Sequence, residues 1–305
     1  MIDESNPTAG ESLRVAIGIA TTGRREQLQL TLEQIGLQQK SPLRTIVCPA
    51  SLDDFDEPLA RSLPLALQVV SSPRGTCAQR NAILRACTDV DVIVFMDDDY
   101  YPAPDYVAQV ESLFRSHPDL VVATNRPVVD GATGPGVSHD AALHLIASLT
   151  PLPIGGSACT ETYGGYGCNM AVRLGPVYAH HVMFDERLPL YGWLEDIDFT
   201  RRLAPYGRIV QAAALRGVHL ATKRGRTHGI RLGYSQVANP IYMVRKGSMT
   251  PKYAYSQLLR NIVKNVVRSA WPEPWVDRRG RLKGNLLGLR DLVSSRLDPA
   301  NIVNL

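Results

Sequence analysis

The chain has 305 residues, 45% of them hydrophobic and 20% charged, which suits a packed α/β domain with an appendage and argues against wholesale disorder. Without a long apolar run, an N-terminal leader pattern or a CxxC pair among its five cysteines, we expect a cytoplasmic protein with reduced thiols and no membrane span. The net charge of +4 divides unevenly: residues 1–200 carry 13 Lys+Arg and 25 Asp+Glu (−12), whereas residues 201–305 carry 20 and 4 (+16). This asymmetry indicates an anionic partner for the C-terminal part.

The first part of the chain alternates between strand and helix patterns. Short apolar runs predict strands at residues 14–20, 44–48, 66–70, 91–96 and 120–124. Apolar residues at helical spacing predict helices at residues 24–38, 76–87 and 105–115. Alternating units of this kind predict an α/β fold with a mostly parallel sheet and helices on both faces.

The regular alternation of strand and helix patterns ends after Pro127. We expect loops at residues 130–136 and 150–167, and a basic, glycine-containing loop at 222–233. Strands are predicted at 169–173 and 208–213, and helices at 138–149, 195–203, 253–270 and 283–295.

An aspartate cluster follows the strongest predicted strand, in the sequence VIVFMDDDYYP. Burying the apolar run places Asp97, Asp98 and Asp99 at the carboxyl end of a strand, where open parallel sheets bind ligands. Three adjacent carboxylates repel one another unless a cation is present, and carboxylate oxygens suit Mg²⁺ or Mn²⁺. We interpret the cluster as a metal site that meets substrate phosphates; the alternative is a solvated acidic turn.

A second acidic pair, Glu195 and Asp196, opens the helix predicted at 195–203. A carboxylate in a cleft can accept a proton from a hydroxyl nucleophile, although acids at helix starts are common without any function. Upstream, Gly167 suits close approach of the backbone to a ligand and Asn169 could supply a hydrogen bond.

Four segments in order carry a resemblance to a known family. They are ATTGRREQLQLTL after the first strand, GTCAQRNAIL before MDDDYYP, YGCNMAVR before FDERLPLYGWLEDIDFTRRLAPYGRI, and a histidine, His219, after a short strand. Over residues 13–250 their order and spacing resemble the family-2 inverting glycosyltransferases of GT-A fold. The resemblance implies a catalytic domain at 13–250, with a nucleotide-sugar-binding half (13–127) and an acceptor-binding half (128–250). A disordered tail (1–12) and a basic helical extension (251–305) complete the predicted organisation.

The resemblance also implies roles for the acidic residues. Asp97 and Asp99 match the two acids of the family's DxD motif, with Asp99 the main metal ligand. Asp97 or Asp98 would hold the ribose or the donor sugar. Asp196 matches the general base, with Glu195 beside it.

Further positions follow from the same match. The residues matched to the donor pocket are Thr21, Thr22, Arg24 and Arg80. The residues expected near the acceptor are Gly167, Asn169, Trp193 and Glu195. His219 stands where some relatives place a third metal ligand, and a structural histidine is the alternative.

Two segments depart from the family pattern. Ala20-Thr21-Thr22-Gly23-Arg24 replaces the usual Pro-x-Tyr-Asn-Arg, and Cys48-Pro49 stands where a pair of acids usually meets the base. Asp53 or Asp54 is then left to recognise the base. UDP is the default nucleotide only because it is frequent in the family.

The basic loop predicted at 222–233 could close over the donor diphosphate as a lid. Its cationic candidates are Lys223, Arg224, Arg226, His228 and Arg231. The alternative is a solvated surface loop.

The helix predicted at 253–270 is amphipathic, and its cations Arg260, Lys264 and Arg268 are interrupted by no acid. With the tryptophans and basic residues that follow, the segment 253–283 suits the surface of an anionic membrane at its cytoplasmic face. The alternative is that its apolar side packs against the catalytic domain or forms a homodimer.

Together these features predict a metal-dependent inverting glycosyltransferase of polysaccharide or glycoconjugate synthesis. It would use a nucleotide-sugar donor, Mg²⁺ or Mn²⁺, and a saccharide or lipid-linked acceptor, and it would bind no nucleic acid. The alternatives are a sugar-phosphate nucleotidyltransferase, for which TTGRRE is a poor phosphate loop, and a non-catalytic nucleic-acid-binding protein.

Overall fold

The computed structural model describes residues 12–156, 158–223 and 228–305. The predicted tail therefore lies outside the described residues, apart from Ser12. Within these ranges the strands are β1 (Val15–Thr21), β2 (Thr45–Pro49), β3 (Leu67–Val69), β4 (Val92–Asp97), β5 (Tyr100–Pro102), β6 (Leu120–Thr124), β7 (Val129–Asp130), β8 (Cys159–Glu161), β9 (Asn169–Arg173), β10 (Arg208–Ala212) and β11 (Gly217–His219).

The α-helices in the same ranges are α1 (Arg25–Gly36), α2 (Glu57–Arg61), α3 (Thr76–Arg85), α4 (Tyr106–Ser116), α5 (His139–Ala147), α6 (Leu174–Ala179), α7 (Glu195–Leu203), α8 (Gly229–Lys246), α9 (Pro251–Ser269) and α10 (Arg278–Val293). Short 3₁₀ turns lie at Leu52–Asp54, Gly131–Thr133, Ala204–Tyr206 and Pro299–Asn304. None of the described helices is both long and apolar enough to cross a bilayer.

Eight strands form one sheet in the order β3-β2-β1-β4-β9-β6-β10-β8. Strands β1, β2, β3 and β4 run parallel, as do β6 and β10, whereas β9 is antiparallel to both of its neighbours and β8 to β10. The predicted α/β fold with a mostly parallel sheet is confirmed. In register, Ala20 pairs with Asp97, so β1 and β4 end together at the edge that carries the aspartate cluster.

A small second sheet, β5-β11-β7, completes this edge. Its register places His219 opposite Tyr100 on one side and opposite Asp130 on the other. Because Tyr100 directly follows Asp99, this pairing brings a histidine from far along the chain to the aspartate cluster.

The core occupies both faces of the large sheet. On one face Leu28 and Leu32 of α1 and Val110 of α4 pack against strand residues. On the other face Ile83 of α3 and Phe199 of α7 do so. Helices α3 and α7 are thereby fixed at the sheet edge where β4 ends, and they bring Arg80 and the Glu195–Asp196 pair with them.

Two loop predictions are wrong. The predicted loop 150–167 contains β8, which extends the sheet beyond β10. The predicted basic loop 222–233 gives way to α8 from Gly229 onward. Glycines within the predicted loop serve close helix packing, because a Cβ on Gly233 would lie 2.0 Å from the carbonyl oxygen of Arg281 in α10. Helices α8, α9 and α10 pack mainly against one another; the domain boundary at residue 250 stays a prediction.

Candidate active site

The three aspartates point in different directions. Asp98 is completely buried; Thr21 Oγ1 donates to its Oδ2 at 2.6 Å, and Arg24 Nη2 lies 2.8 Å from its Oδ1. Burial raises the pKa of Asp98 to about 7. Asp97 has the most exposed side chain of the three, and Arg24 Nη1 lies 2.8 Å from Asp99 Oδ2. The cluster therefore has a buried anchor, Asp98, and two carboxylates that face a common space.

His219 completes that space. Its Nε2 lies 3.4 Å from Asp99 Oδ1 and 3.7 Å from Asp97 Oδ2. Its Nδ1 donates to Asp130 Oδ1 at 2.9 Å, since a carboxylate only accepts. One ligand atom from each of Asp97, Asp99 and His219 lies within 4.8 Å of the others.

These residues fit a divalent cation. Asp99 Oδ1 is buried without a hydrogen-bond donor among the described residues, although its Oδ2 accepts from Arg24 Nη1, Thr222 N and Thr222 Oγ1. A buried carboxylate oxygen of this kind calls for a positive partner. Two carboxylates and an imidazole whose other nitrogen is held by a third carboxylate form an established arrangement for metal ligands.

The electrostatics of the cluster favour positive charge. Burial disfavours the imidazolium form of His219, but Asp130, Asp99 and Asp97 outweigh it and raise the pKa of the imidazole to about 10. Burial likewise disfavours the Asp99 anion, yet His219, Arg24 and the Thr222 amide hold the pKa of Asp99 well below its usual range. A proton on His219 and a metal ion would therefore compete for the same site.

Arg80 of α3 connects the aspartate cluster to the second acidic pair. Its Nη1 donates to Glu195 Oε1 at 2.6 Å, its Nη2 donates to Gly167 O at 2.8 Å, and Nη2 lies 3.6 Å from Asp97 Oδ1. The guanidinium is nearly fully buried, and it also contacts the Phe184 ring, 5.4 Å from the ring centroid. Arg80 thus contacts both the metal-ligand group, through Asp97, and helix α7, through Glu195.

Asp196 stands at the start of α7 and is held by two backbone amides. Gly167 N donates to its Oδ2 and Ile197 N to its Oδ1, each at 2.8 Å. Burial raises the pKa of Asp196 and raises that of Glu195 to about 8. The preceding residue, Leu194, has a left-handed backbone (φ 73°), a strained conformation that proteins keep mainly at functional sites.

Several residues expected to contact ligands are buried. Asn169 opens β9 between β4 and β6, so it is completely buried, and its amide bonds to Tyr100 Oη and Thr124 Oγ1. Thr21 and Asp98 are also buried and hydrogen-bond to each other. Glu195 is largely buried against Arg80. The expected contacts of these residues with the nucleotide-sugar donor or the acceptor stay predictions.

The remaining predicted residues have mixed positions. Arg231 lies in the first turn of α8, so it is not part of a mobile loop. Arg224 and Arg226 lie outside the described residues. Thr22 and Trp193 are partly exposed. Gly167 sits between Arg80 and Asp196, where a Cβ would lie 3.3 Å from both side chains.

Two residues at this site were missed by sequence reasoning. Asp130 orients His219, and Thr222 donates to Asp99 from a residue that follows a left-handed Ala221. The only sequence signal for Asp130 was an acid at the start of a glycine-rich segment, which is ordinary for a turn.

Comparisons with known proteins give one family match and several structures of similar fold. The profile of the family described as Glycosyl transferase family 2 matches residues 17–175, just over half of the chain. The match includes the aspartate cluster and Arg80. No curated protein matches the sequence at a significant level.

Solved structures share the fold. The mannosyltransferase PcManGT from Pyrobaculum calidifontis, in complex with GDP-Man and Mn²⁺, has a TM-score of 0.52 at 17% identity, over 97% of this chain and 86% of its own. S. aureus TarS 1–349 in complex with UDP-GlcNAc has a TM-score of 0.55 at 12% identity, over 94% and 89%. GalNAc-T7 with UDP, GalNAc and Mn²⁺ reaches 0.57 at 12% identity, over 94% and 59%. At these identities the likeness shows the fold alone, and it confirms the predicted GT-A-like architecture.

Proposed function

Because the chain belongs to glycosyl transferase family 2, we propose that it moves a sugar from a nucleotide-diphosphate donor to an acceptor hydroxyl, with inversion at the anomeric carbon. The observation that carries the proposal is the position of Arg80. It joins Asp97 of the metal-ligand group to Glu195, and through Gly167 to Asp196. Arg80 therefore contacts the proposed diphosphate-binding group directly and, through Gly167, the proposed carboxylate base.

Asp97, Asp99 and His219 would hold the divalent metal, which would neutralise the diphosphate as it leaves. Two carboxylates suit Mg²⁺ or Mn²⁺, and the imidazole nitrogen favours Mn²⁺, because Mg²⁺ prefers oxygen ligands. Arg24, which is partly exposed and lies against both Asp98 and Asp99, is the proposed phosphate contact beside the metal-ligand group.

Asp196 is the proposed general base. Its two amide contacts fix the carboxylate, and its raised pKa brings its basicity closer to that needed for a hydroxyl proton near neutral pH. Glu195 is a positioning residue in this proposal, because it meets Arg80 and has little exposed surface. With Asp196 as the one proposed base and no second nucleophile proposed among the described residues, we expect a single displacement, which gives inversion.

The nucleobase of the donor and the identity of the acceptor need separate proposals. Asp54 accepts from the Gly23 and Ser51 amides, whereas Asp53 is exposed, so Asp53 is the better candidate to recognise a nucleobase. We propose UDP-sugars as the first donors to test and GDP-sugars as the second. Trp193, which is partly exposed and precedes the proposed general base Asp196 by three residues, is the proposed acceptor contact.

The test is a donor screen that follows release of nucleoside diphosphate with Mn²⁺, Mg²⁺ or chelator. We expect release to need metal, Asp99→Ala to abolish it, and Asp196→Asn to lower transfer by ~10²–10⁴-fold while donor binding is kept. Exposed Asp140 on α5 gives the matched control, Asp140→Asn. Full turnover of Asp99→Ala in chelator would contradict the metal assignment. A nearly active Asp196→Asn beside an inactive Glu195→Gln would move the base to Glu195.

A further inference from the structure

Helix α9 buries polar side chains. Asn265 is 1% exposed; its Nδ2 donates to Gln236 Oε1 at 2.9 Å and to Asn285 Oδ1 at 2.8 Å. Its Oδ1 accepts from Arg278 Nη1 at 3.1 Å. The side of α9 that faces α8 and α10 is therefore centred on an amide and guanidinium network.

The opposite side of the same helix is apolar and open. Leu259 is 62% exposed, Val263 50%, Val266 52% and Val267 61%, and Trp271, just beyond the helix, is 81% exposed. We call these five residues the α9 outer face. A helix at the surface of a soluble protein normally buries its apolar side and exposes its polar side, and α9 shows the reverse. A contiguous apolar surface of this kind marks an interaction site.

The charge beside this face identifies its partner. Arg260, Lys264 and Arg268 repeat every four residues, so they lie in one row along the flank of the α9 outer face. No acidic residue occurs between Pro251 and Ser269. An antiparallel two-fold contact between copies of this chain would bring these cations against their equivalents, which disfavours that dimer through the same surface. A nucleic acid would match the cations and leave the valines unused.

We propose that the α9 outer face binds the surface of an anionic lipid bilayer. The aliphatic side chains would enter the boundary between headgroups and acyl chains, Trp271 would lie at headgroup level, and the three cations would meet lipid phosphates. This inference goes beyond the proposed function and does not depend on it, since it rests on the surface of α9 and not on the site at the end of β4.

Flotation of the full chain with lipid vesicles tests the proposal. We expect binding to vesicles of phosphatidylcholine with phosphatidylglycerol, no binding to phosphatidylcholine alone, and weaker binding as salt rises. Changing Arg260, Lys264 and Arg268 together to Glu should weaken binding at least about a hundredfold, given what each cation contributes near an anionic surface. The pair Val263→Ser and Val267→Ser should lose binding with the net charge unchanged.

A matched control separates this surface from overall charge. Arg61, Arg85 and Arg115 are exposed on helices of the catalytic domain, and changing them to Glu alters the net charge by the same amount. That triple variant should lose far less binding than the α9 triple variant. The α9 positions are exposed, so thermal unfolding of the variants should match that of the unmodified chain; if the serine pair fails to fold, the charge variants decide.

Three results would overturn the proposal. The unmodified chain could fail to float with anionic vesicles, or the two triple variants could float equally well. Alternatively, the chain could be a dimer by light scattering that the serine pair converts to a monomer, in which case a second copy covers the α9 outer face.

Discussion

Nδ1 of His219 donates to Asp130 Oδ1 at 2.9 Å, which turns Nε2 of the same ring toward Asp97 and Asp99. Asp130 is itself fixed by Tyr166 Oη, which donates to its other carboxylate oxygen at 2.8 Å. The imidazole is thereby set with its second nitrogen, Nε2, toward the candidate metal site.

Replacing Asp130 by Asn should weaken metal binding by about 10–100-fold, because partners of metal-bound histidines fix the ring and raise its basicity. The measurement is Mn²⁺ titration by calorimetry or by the electron paramagnetic resonance signal of the free ion. Asp140→Asn on the exposed side of α5 should leave the affinity unchanged. Equal Mn²⁺ affinities in both variants would show that His219 needs no orienting partner.

Replacing Arg80 by Met should lower the free energy of unfolding by about 2–6 kcal/mol, because the buried oxygens of Glu195 and Gly167 would both lose their hydrogen-bond donor. The exposed pair Arg61–Glu57 offers a matched comparison, in which Arg61→Met should cost less than about 1 kcal/mol. Urea unfolding followed by circular dichroism compares the two. A cost for Arg80→Met as small as that for Arg61→Met would mean that the buried pair does not hold α3 to α7.

The pH dependence of kcat/KM should report the proposed base. Burial raises the pKa of Asp196, and a general base works only when it is deprotonated. Activity should therefore fall as the pH drops through this raised pKa, at a midpoint above the ordinary value of aspartate, and level off above it. Circular dichroism over the same range controls for unfolding. A flat profile down to the ordinary aspartate pKa would contradict the assignment.

Adding a methyl group at Gly233 should destabilise the helical C-terminal part. The new Cβ would meet the Arg281 carbonyl oxygen, so Gly233→Ala should cost about 1–3 kcal/mol by overpacking α8 against α10. Gly175→Ala, in α6, should be neutral or stabilising by up to about 1 kcal/mol, because among the described residues outside its own helix backbone and chain neighbours nothing lies within 4 Å of the new Cβ. Thermal unfolding measures both, and equal melting temperatures would remove the close-packing explanation.

The sequence predicted most strands of the large sheet and the position of the aspartate cluster. A short apolar run is typical of a buried strand, and the run that ends at Asp97 places the carboxylates at the end of that strand. It did not predict Asp130 or Thr222, since the contacts of Asp130 with His219 and of Thr222 with Asp99 depend on the small sheet β5-β11-β7, whose strands are too short to leave a pattern.

The wrong loop prediction and the burial of Asn169 have similar local causes. Gly229 and Gly233 suggested a loop, yet both lie within α8, where Gly233 packs against Arg281 of α10 and Gly229 against the side chain of Asp277. The amide of Asn169 suggested a ligand contact, yet its position at the start of β9 turns it toward Tyr100 and Thr124. In each case a partner distant in sequence decides the role of the residue.

The most direct test of the central claim is the anomeric configuration of the first product. With an α-linked nucleotide-sugar donor found by the screen, proton NMR of the product should show a β-linkage, formed by a single displacement in which Asp196 takes the acceptor proton. A product that keeps the α-configuration from the earliest time point would contradict the account, because retention needs a second step or a different attack for which this site has no proposed group.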